Sequence, residues 1–355
     1  MSRRVVVELE GTGHRLSYVR LLLEESLARG HETVLVLPPA WATLPEAGPL
    51  VRDLARLPGE PRVTVVTASD LRHLDEEPFL AGDAGADRLV VIPDADRHLS
   101  GRGLWRLARR HRLSLLLMRG RPEGARPRDR ARFLVKRVLA GVLRARGHRV
   151  VVLASFLAPA APGRVADPVV LHDDPDTRAQ LAGELALDAE RRWLGVFGAL
   201  DRRKNLETVV AALTAGALDP DRHGLVLLGQ VRPEYAGTLE GLVTRLDRHG
   251  VAVRSVPGFT SPERLDAAIA LVDAVVVAYS NAGPSGIAAR AAALGTRVLA
   301  AGSPTLREDA ERVPDHVRWD ELTPEGLVRL VQDTAGLPRP VPLPSGSTAF
   351  GDALL

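Results

Sequence analysis

Cysteine is absent from this chain, which excludes disulfides, thiolate nucleophiles and Cys-ligated zinc or iron–sulfur centres together. Lysine and asparagine are nearly absent: of the 47 basic residues only Lys136 and Lys204 are lysine, and the asparagines are Asn205 and Asn281. Arginine and alanine have displaced them elsewhere, so the survivors mark positions that arginine does not serve. An ammonium is a compact point charge and a guanidinium a planar fork, and a site that sets one cation between phosphate oxygens distinguishes the two. Long apolar runs are also missing; nothing approaches the length of a spanning helix. The opening Met-Ser-Arg-Arg-Val-Val-Val-Glu-Leu-Glu carries acids inside its apolar stretch and does not read as a signal peptide. The expectation is a cytoplasmic protein, soluble or peripheral to the inner face of the membrane.

What is present is a globular composition, 45% apolar and 26% charged over 355 residues, more than one core usually serves. Its charge is uneven. Residues 101–149 hold 16 Arg or Lys against Glu123 and Asp129, so this block carries +14 and leaves −11 on the rest of a chain of net +3. Such a field attracts anionic lipid, a phosphorylated acceptor or nucleic acid. Nucleic acid is disfavoured, because the block offers only Trp105 and Phe133 for base stacking. Within it, 127–146 has helical spacing, with Leu134, Val135, Val138, Leu139, Val142 and Leu143 expected as its core face and Arg128, Arg132, Lys136 and Arg144 elsewhere.

Short β-branched runs alternate with helical periods along the whole chain. Strands are predicted at 5–9, 33–37, 63–67, 89–92, 113–118 and 150–154, with helices at 16–29, 69–75, 99–111 and 127–146. After a turn-rich linker at 157–178 the pattern restarts, with strands at 193–197, 225–228, 251–256, 273–279 and 297–301 and helices at 205–215, 233–249, 262–270 and 284–294. Apolar strands without polar alternation suit parallel sheets covered on both faces. The expected fold is α/β, two Rossmann-like doubly wound domains facing a cleft: 1–165, 166–335, and a Pro-rich tail at 336–355 that is either a strap or disordered.

Three strand-to-helix loops of the second half read as one site. Gly198 to Asn205 presents Arg202, Arg203 and Lys204 before a helix; Gly258 to Glu263 precedes another, with Thr260 or Ser261 as cap; Asn281 to Ile287, with Ser285 and Gly286, precedes a third. Helix amino termini with free N–H groups and a nearby lysine make a diphosphate site. In the first half, Gly11-Thr-Gly-His14 forms a turn after the first strand, and Asp94-Ala-Asp96 follows the fourth. A dehydrogenase is disfavoured, since Gly11-Thr-Gly-His-Arg-Leu lacks the third glycine of the dinucleotide fingerprint.

The ordered set of motifs resembles the retaining GT-B glycosyltransferases of family 4. The residues that carry the likeness are Arg-Gly-His-Glu-Thr-Val-Leu-Val over 29–36, Phe197-Gly-x4-Arg-Lys-Asn-Leu206, Leu227-Leu-Gly-Gln230, Val-Pro-Gly-Phe-Thr-Ser-Pro-Glu-Arg-Leu over 256–265, Val272 to Tyr279, and Ser285 to Ala300. The resemblance implies transfer of a sugar from a nucleotide-diphosphate sugar to an acceptor hydroxyl, metal-independent and retaining, with no cofactor beyond the donor. It implies a donor set of Gly198, Arg202, Arg203, Lys204, Asn205, Gly258, Asn281, Ser285, Gly286, Ile287 and Arg290, with Lys204 at the diphosphate. Gly11, Gly13 and His14 resemble the acceptor loop of other GT-B enzymes, where a histidine acts as general base; Asp94 and Arg119 complete the acceptor set, and His14, Asp94 and Lys204 are the catalytic expectation.

The chain departs from the family in two respects: the arginine that follows the glycine of the family's first donor loop falls on Ala199, with Arg202 or Arg203 able to supply the charge, and the family's two-glutamate motif is missing. Its two glutamates, separated by seven residues, fall on Ala282 and Arg290. Arg290 is expected to pair with phosphate or a nucleotide edge. The rival readings are an inactive relative that binds a ligand or partner, and a sugar-nucleotide epimerase or hydrolase on the same fold. The expected partners are a nucleotide sugar, a hydroxyl-bearing acceptor (a small molecule or an envelope lipid or glycan) of anionic character, and an anionic membrane surface met by 101–149.

Overall fold

The computed structural model describes residues 2–10, 15–44, 47–57, 63–72, 74, 77–80, 88–120, 122, 126–158, 161–172, 174–258, 260–280 and 285–355. Two compact units divide the chain: Met1–Ala154 with Pro159–Ala166 and Ser347–Leu355, and Ser155–Ala158 with Asp167–Gly346.

Unit 1 is built on β1 (Arg3–Val7), β2 (Glu32–Leu37), β3 (Val63–Thr67), β4 (Arg88–Ile92), β5 (Arg112–Leu117), β6 (Arg149–Ala154) and β7 (Arg164–Ala166), in the order β3-β2-β1-β4-β5-β6-β7. Every pairing is parallel. Val5 and Val7 pack on one face and Val6 on the other, all at most 1% exposed, so the run is apolar because both faces are covered. The covering helices are α1 (Arg15–Ala28), α2 (Gly48–Ala55), α3 (Arg102–Arg110) and α4 (Pro127–Ala145).

Unit 2 begins with α5 (Pro175–Leu185) and continues β8 (Arg192–Phe197), α6 (Leu206–Leu213), β9 (His223–Gly229), α7 (Ala236–Arg248), β10 (Ala252–Pro257), α8 (Pro262–Leu271), β11 (Ala274–Ala278), α9 (Gly286–Ala293), β12 (Arg297–Ala301), α10 (Pro304–Arg312), β13 (Val317–Asp320) and α11 (Pro324–Asp333). Its sheet is also parallel, in the order β10-β9-β8-β11-β12-β13. Both sheets therefore have the doubly wound order, with the reversal beside β1 in one and β8 in the other. The two-domain α/β expectation holds.

Several segments differ from their sequence reading. The interval 69–75 carries a helical spacing, yet of its described residues, 69–72 form a bend and a turn and only Leu74 is in a 3-10 helical turn. Helices α5, α10 and α11 lie where no element was expected. Each starts with the same device, a capping side chain followed by proline at the first helical position: Asp174 accepts from Thr177 N at 3.0 Å, Ser303 from Leu306 N at 3.5 Å and Thr323 from Gly326 N at 3.0 Å. The Pro-rich stretch runs without helix along unit 2, held by Arg297 Nη2 to Pro338 O at 2.6 Å and Leu343 N to Ala292 O at 3.1 Å. Beyond it α12 (Thr348–Leu354) packs into unit 1, with the Phe350 ring 5.2 Å from that of Tyr18 and Leu354 fully buried.

The largest correction concerns α4. Its apolar stripe was expected to face the core, but Leu134, Val135 and Val138 are 61%, 56% and 59% exposed, and in the helix only Ala140 and Leu143 are buried. Helical spacing alone identifies a stripe, not what covers it. No helix among the described residues is long and apolar enough to cross a membrane.

One backbone approach in unit 2 is closer than any side chain permits. Gly229 has φ of +140°, and a Cβ there would stand 2.0 Å from the carbonyl oxygen of Gly198. Gly229→Ala is expected to cost about 3 kcal/mol or more through strain and displacement of the neighbouring loop, read as a lower denaturant midpoint for unit 2.

Candidate functional site

The loop after β8 owes its path to three local constraints. Gly198 takes φ of +90°, which a side chain rarely adopts, and turns the chain at the strand's carboxyl end. The loop then stays zipped to the continuation of β9, with Leu200 N donating to Gln230 O at 2.9 Å and Arg232 N to Leu200 O at 3.1 Å. Asp201 caps the single turn Arg202–Lys204, accepting from Arg203 N at 2.9 Å. Burial pushes the Asp201 carboxyl up, but hydrogen bonds from Arg203 outweigh that and hold it below the usual range. It stays anionic and binds the Arg203 guanidinium at 2.7 Å.

Asn205 closes the turn in the left-handed region at φ of +45°, which asparagine adopts more readily than arginine. Its Nδ2 donates to Ala278 O at 2.7 Å and to Arg203 O at 3.1 Å, which ties the loop to the end of β11. This accounts for one rare asparagine in structural terms: its amide nitrogen is spent on backbone carbonyls.

Lys204 is directed back over the strand ends. Its Nζ donates to Phe197 O at 2.7 Å and to Tyr279 Oη at 2.6 Å. An ammonium has three donors, so one remains beyond these two acceptors among the described residues. A Cβ placed on Gly198 would lie 3.7 Å from Lys204 Nζ and 3.9 Å from Ile287 Cδ1, which brings the Gly198 turn, the ammonium and the start of α9 together. At that helix start Ser285, 7% exposed, accepts from Ala288 N at 3.2 Å. The first-turn N–H groups of Gly286 and Ile287 have no intrahelical acceptor, and among the described residues an added Cβ on Gly286 meets nothing within 4 Å. A cation and the positive end of a helix dipole thus lie side by side, an arrangement suited to an anion. Gly258 joins from the next strand through its N–H to Gly229 O at 3.2 Å.

The remaining donor expectations are placed less centrally. Arg202 and Arg203 are exposed on the loop, and Asn281 and Ala282 lie outside the described residues. Arg290 is engaged elsewhere: its Nη1 donates to both oxygens of Asp266, at 2.6 and 2.8 Å. Asp266 on α8 is fully buried and also accepts from His172 N at 2.7 Å. The guanidinium expected at a phosphate is therefore paired with an internal carboxylate. Asp266 is the partner that sequence reasoning missed; 24 residues separate the pair, and only the packing of α8 on α9 joins them.

In unit 1, Gly11, Gly13 and His14 lie outside the described residues. Asp94, 7% exposed at the end of β4, accepts from Arg15 Nε at 2.7 Å through Oδ2, while its buried Oδ1 has no hydrogen-bond partner among the described residues. Asp96 accepts from Met118 N at 2.6 Å and Lys136 Nζ at 3.2 Å. The two carboxylates of Asp94-Ala-Asp96 thus answer separate cations. Among the described residues no cluster of three His, Asp or Glu is placed to hold a metal. Arg119 is exposed after β5. Burial lowers the affinity of nearby His98 for a proton, against the opposing charge of Asp94.

No protein-family model and no curated protein matches the sequence. Solved structures do match its fold. HepE of Anabaena, in complex with UDP and glucose, superposes with a TM-score of 0.64 over 99% of this chain and 94% of its own at 16% identity. Sucrose-phosphate synthase of Thermosynechococcus elongatus gives 0.64 over 99% and 93% at 19% identity. An alpha,alpha-trehalose-phosphate synthase of Burkholderia xenovorans, in complex with glucose-6-phosphate, gives 0.60 over 96% and 93% at 10% identity. At these identities the likeness establishes the GT-B architecture of two Rossmann-like domains.

The Arg290 to Asp266 pair yields a direct test. Removing one partner of a buried ion pair leaves the other charge uncompensated, so Arg290→Ala is expected to cost about 3–5 kcal/mol, and Arg290→Glu, which sets two carboxylates together, more. Asp266→Asn combined with Arg290→Met should recover most of the loss in thermal unfolding; no recovery would remove the pair as the cause.

Proposed function

We propose that this protein is a glycosyltransferase that uses a nucleotide-diphosphate sugar and transfers its sugar to an acceptor hydroxyl, with retention and without a metal. The observation that carries the reading is the meeting of Lys204 Nζ, the Gly198 turn and the start of α9 at Ser285 to Ile287. It is supported by the architecture shared with HepE, whose structure holds UDP and glucose. Negative charge develops on the diphosphate as the bond from the anomeric carbon to the leaving oxygen breaks. A fixed ammonium and helix N–H groups aimed at that charge stabilise it without reorganisation.

The donor grip is proposed to consist of Gly198, Lys204, Gly258, Ser285, Gly286 and Ile287, with Arg202, Arg203 and Asn281 from the same loops. Asn205 supports it by holding the loop to β11. Lys204 serves where arginine does not because its point charge fits between Phe197 O and Tyr279 Oη and keeps a donor for the ligand. On the acceptor side we assign Gly11, Gly13, His14, Asp94 and Arg119, with His14 or the Asp94 oxygen that has no partner among the described residues receiving the hydroxyl proton. The acceptor is proposed to be anionic, a small molecule or part of an envelope lipid or glycan, drawn by the basic block at 101–149 to a cytoplasmic protein peripheral to the membrane.

A second reading is favoured by one observation, the absence of carboxylates at 282 and 290. Arg290 turns toward Asp266 instead of contributing a carboxylate at that position, and a chain without these groups can bind a nucleotide sugar and not turn it over.

Ligand-dependent unfolding separates these readings. One of the UDP-, GDP-, ADP- or dTDP-sugars is expected to stabilise the protein by about 2.7 kcal/mol at 100 times its dissociation constant. Lys204→Ala should weaken binding of the corresponding nucleoside diphosphate by about 1.5–3 kcal/mol and leave binding of the nucleoside nearly unchanged. Equal losses for the two ligands would move Lys204 away from the phosphates. Release of free nucleotide diphosphate without any acceptor would mark a hydrolase, and binding without turnover across acceptors the inactive relative.

A further inference from the structure

Among the described residues eight large apolar side chains are exposed, and four of them, Leu134, Val135, Val138 and Val142, lie on α4. At 3.6 residues per turn these four, with exposed Ala131 and Ala145, fall inside an arc of about 100°. Arg128 and Arg132 border the arc on one side, and Arg130 and Arg137 border it on the other, while Arg144 farther round donates to Val150 O at 2.9 and 3.1 Å. The opposite face of the helix meets unit 1 through buried Ala140 and Leu143 and half-buried Phe133, Lys136 and Leu139. Under that face lies a cavity of about 660 Å³ whose lining, among the described residues, sets Arg119, Lys136, Arg137, Arg144 and Arg164 against the single acid Asp96. Positive charge therefore surrounds the apolar arc on its flanks and behind it.

An apolar row of this extent on a free surface calls for a cover, and the charge decides which. A second copy of the chain, paired face to face, would bring two blocks of +14 together. A neutral partner would leave the flanking arginines without counter-charge. An anionic bilayer satisfies both parts at once: valine and leucine enter the boundary of headgroups and acyl chains, and the arginines on the two flanks reach the lipid phosphates with their stems along the apolar surface. We propose that α4 docks unit 1 on an anionic membrane by lying in its surface along the Leu134, Val135, Val138, Val142 row. Its 19 residues span about 28 Å, long enough to contact several headgroups. The docking is independent of whether the protein transfers a sugar, since it uses none of the donor loops.

The test is sedimentation of the full chain with vesicles of phosphatidylcholine alone and of phosphatidylcholine with phosphatidylglycerol. Binding is expected to the anionic vesicles and to be much weaker to the neutral ones. Arg128→Glu with Arg132→Glu should lower the partition coefficient by about fivefold or more for each arginine lost. Val135→Asp with Val138→Asp, at exposed positions that leave the core intact, should lower it about tenfold or more. Thermal unfolding of both variants checks that they fold. The proposal is overturned if the protein ignores anionic vesicles, or if the aspartate pair leaves binding unchanged, which would make the attraction one of charge alone. It is overturned equally if the native chain is a dimer in light scattering and the aspartate pair makes it a monomer, which would assign the row to a second copy.

Discussion

An ammonium held by two oxygens at the carboxyl end of β8 is the contact on which the site of unit 2 depends. Phe197 O and Tyr279 Oη fix Lys204, and they come from adjacent strands of one parallel sheet. Asn205 in its left-handed conformation sets the turn that sends the ammonium there, Gly198 supplies a positive φ at the strand end, and Gly229 allows two backbones to approach where any side chain would clash. Each of these residues answers a backbone requirement. Together they place a charge where the helix start at Ser285 adds its own partial charge. The placement of that ammonium is a property of loop geometry, since Gly198, Gly229 and Asn205 at positive φ set the path of the chain beneath it.

The electrostatics of α8 and α9 follow a different logic. A buried carboxylate is tolerated only when paired, and Asp266 has both the Arg290 guanidinium and the His172 N–H. Arg290 thus presents its cation to the protein's own core. Both partners make sense only as a pair. The pairing leaves the ammonium and helix start as the principal charges at the proposed diphosphate site.

Unit 1 distributes its charge differently. Its arginines are mostly exposed and concentrated around one helix, whose apolar arc faces outward. A helix that contributes only Ala140 and Leu143 as buried side chains gains little from the core, and its remaining apolar surface faces outward. Asp94 and Asp96, two residues apart, take separate roles because alternate residues turn to different neighbours: Asp94 to Arg15 at the start of α1, Asp96 to Lys136 on α4.

By itself the amino-acid sequence determined the two doubly wound sheets, because apolar β-branched runs and helical spacings are local patterns that parallel sheets require. It also marked Lys204, Asn205, Gly198 and Ser285, since scarcity and strand-to-helix punctuation are visible in one dimension. Helices α5, α10 and α11 were equally legible in their cap-proline starts, although apolar periodicity alone passes over them. Tertiary structure alone decided the rest. The partner of Arg290 depends on which helices pack side by side, the return of α12 to unit 1 on a chain reversal after a long extended stretch, and the exposure of the α4 row on what stands opposite it. A periodic pattern specifies that a face is apolar, but burial is a relation between elements distant in the chain, and no local spacing encodes it.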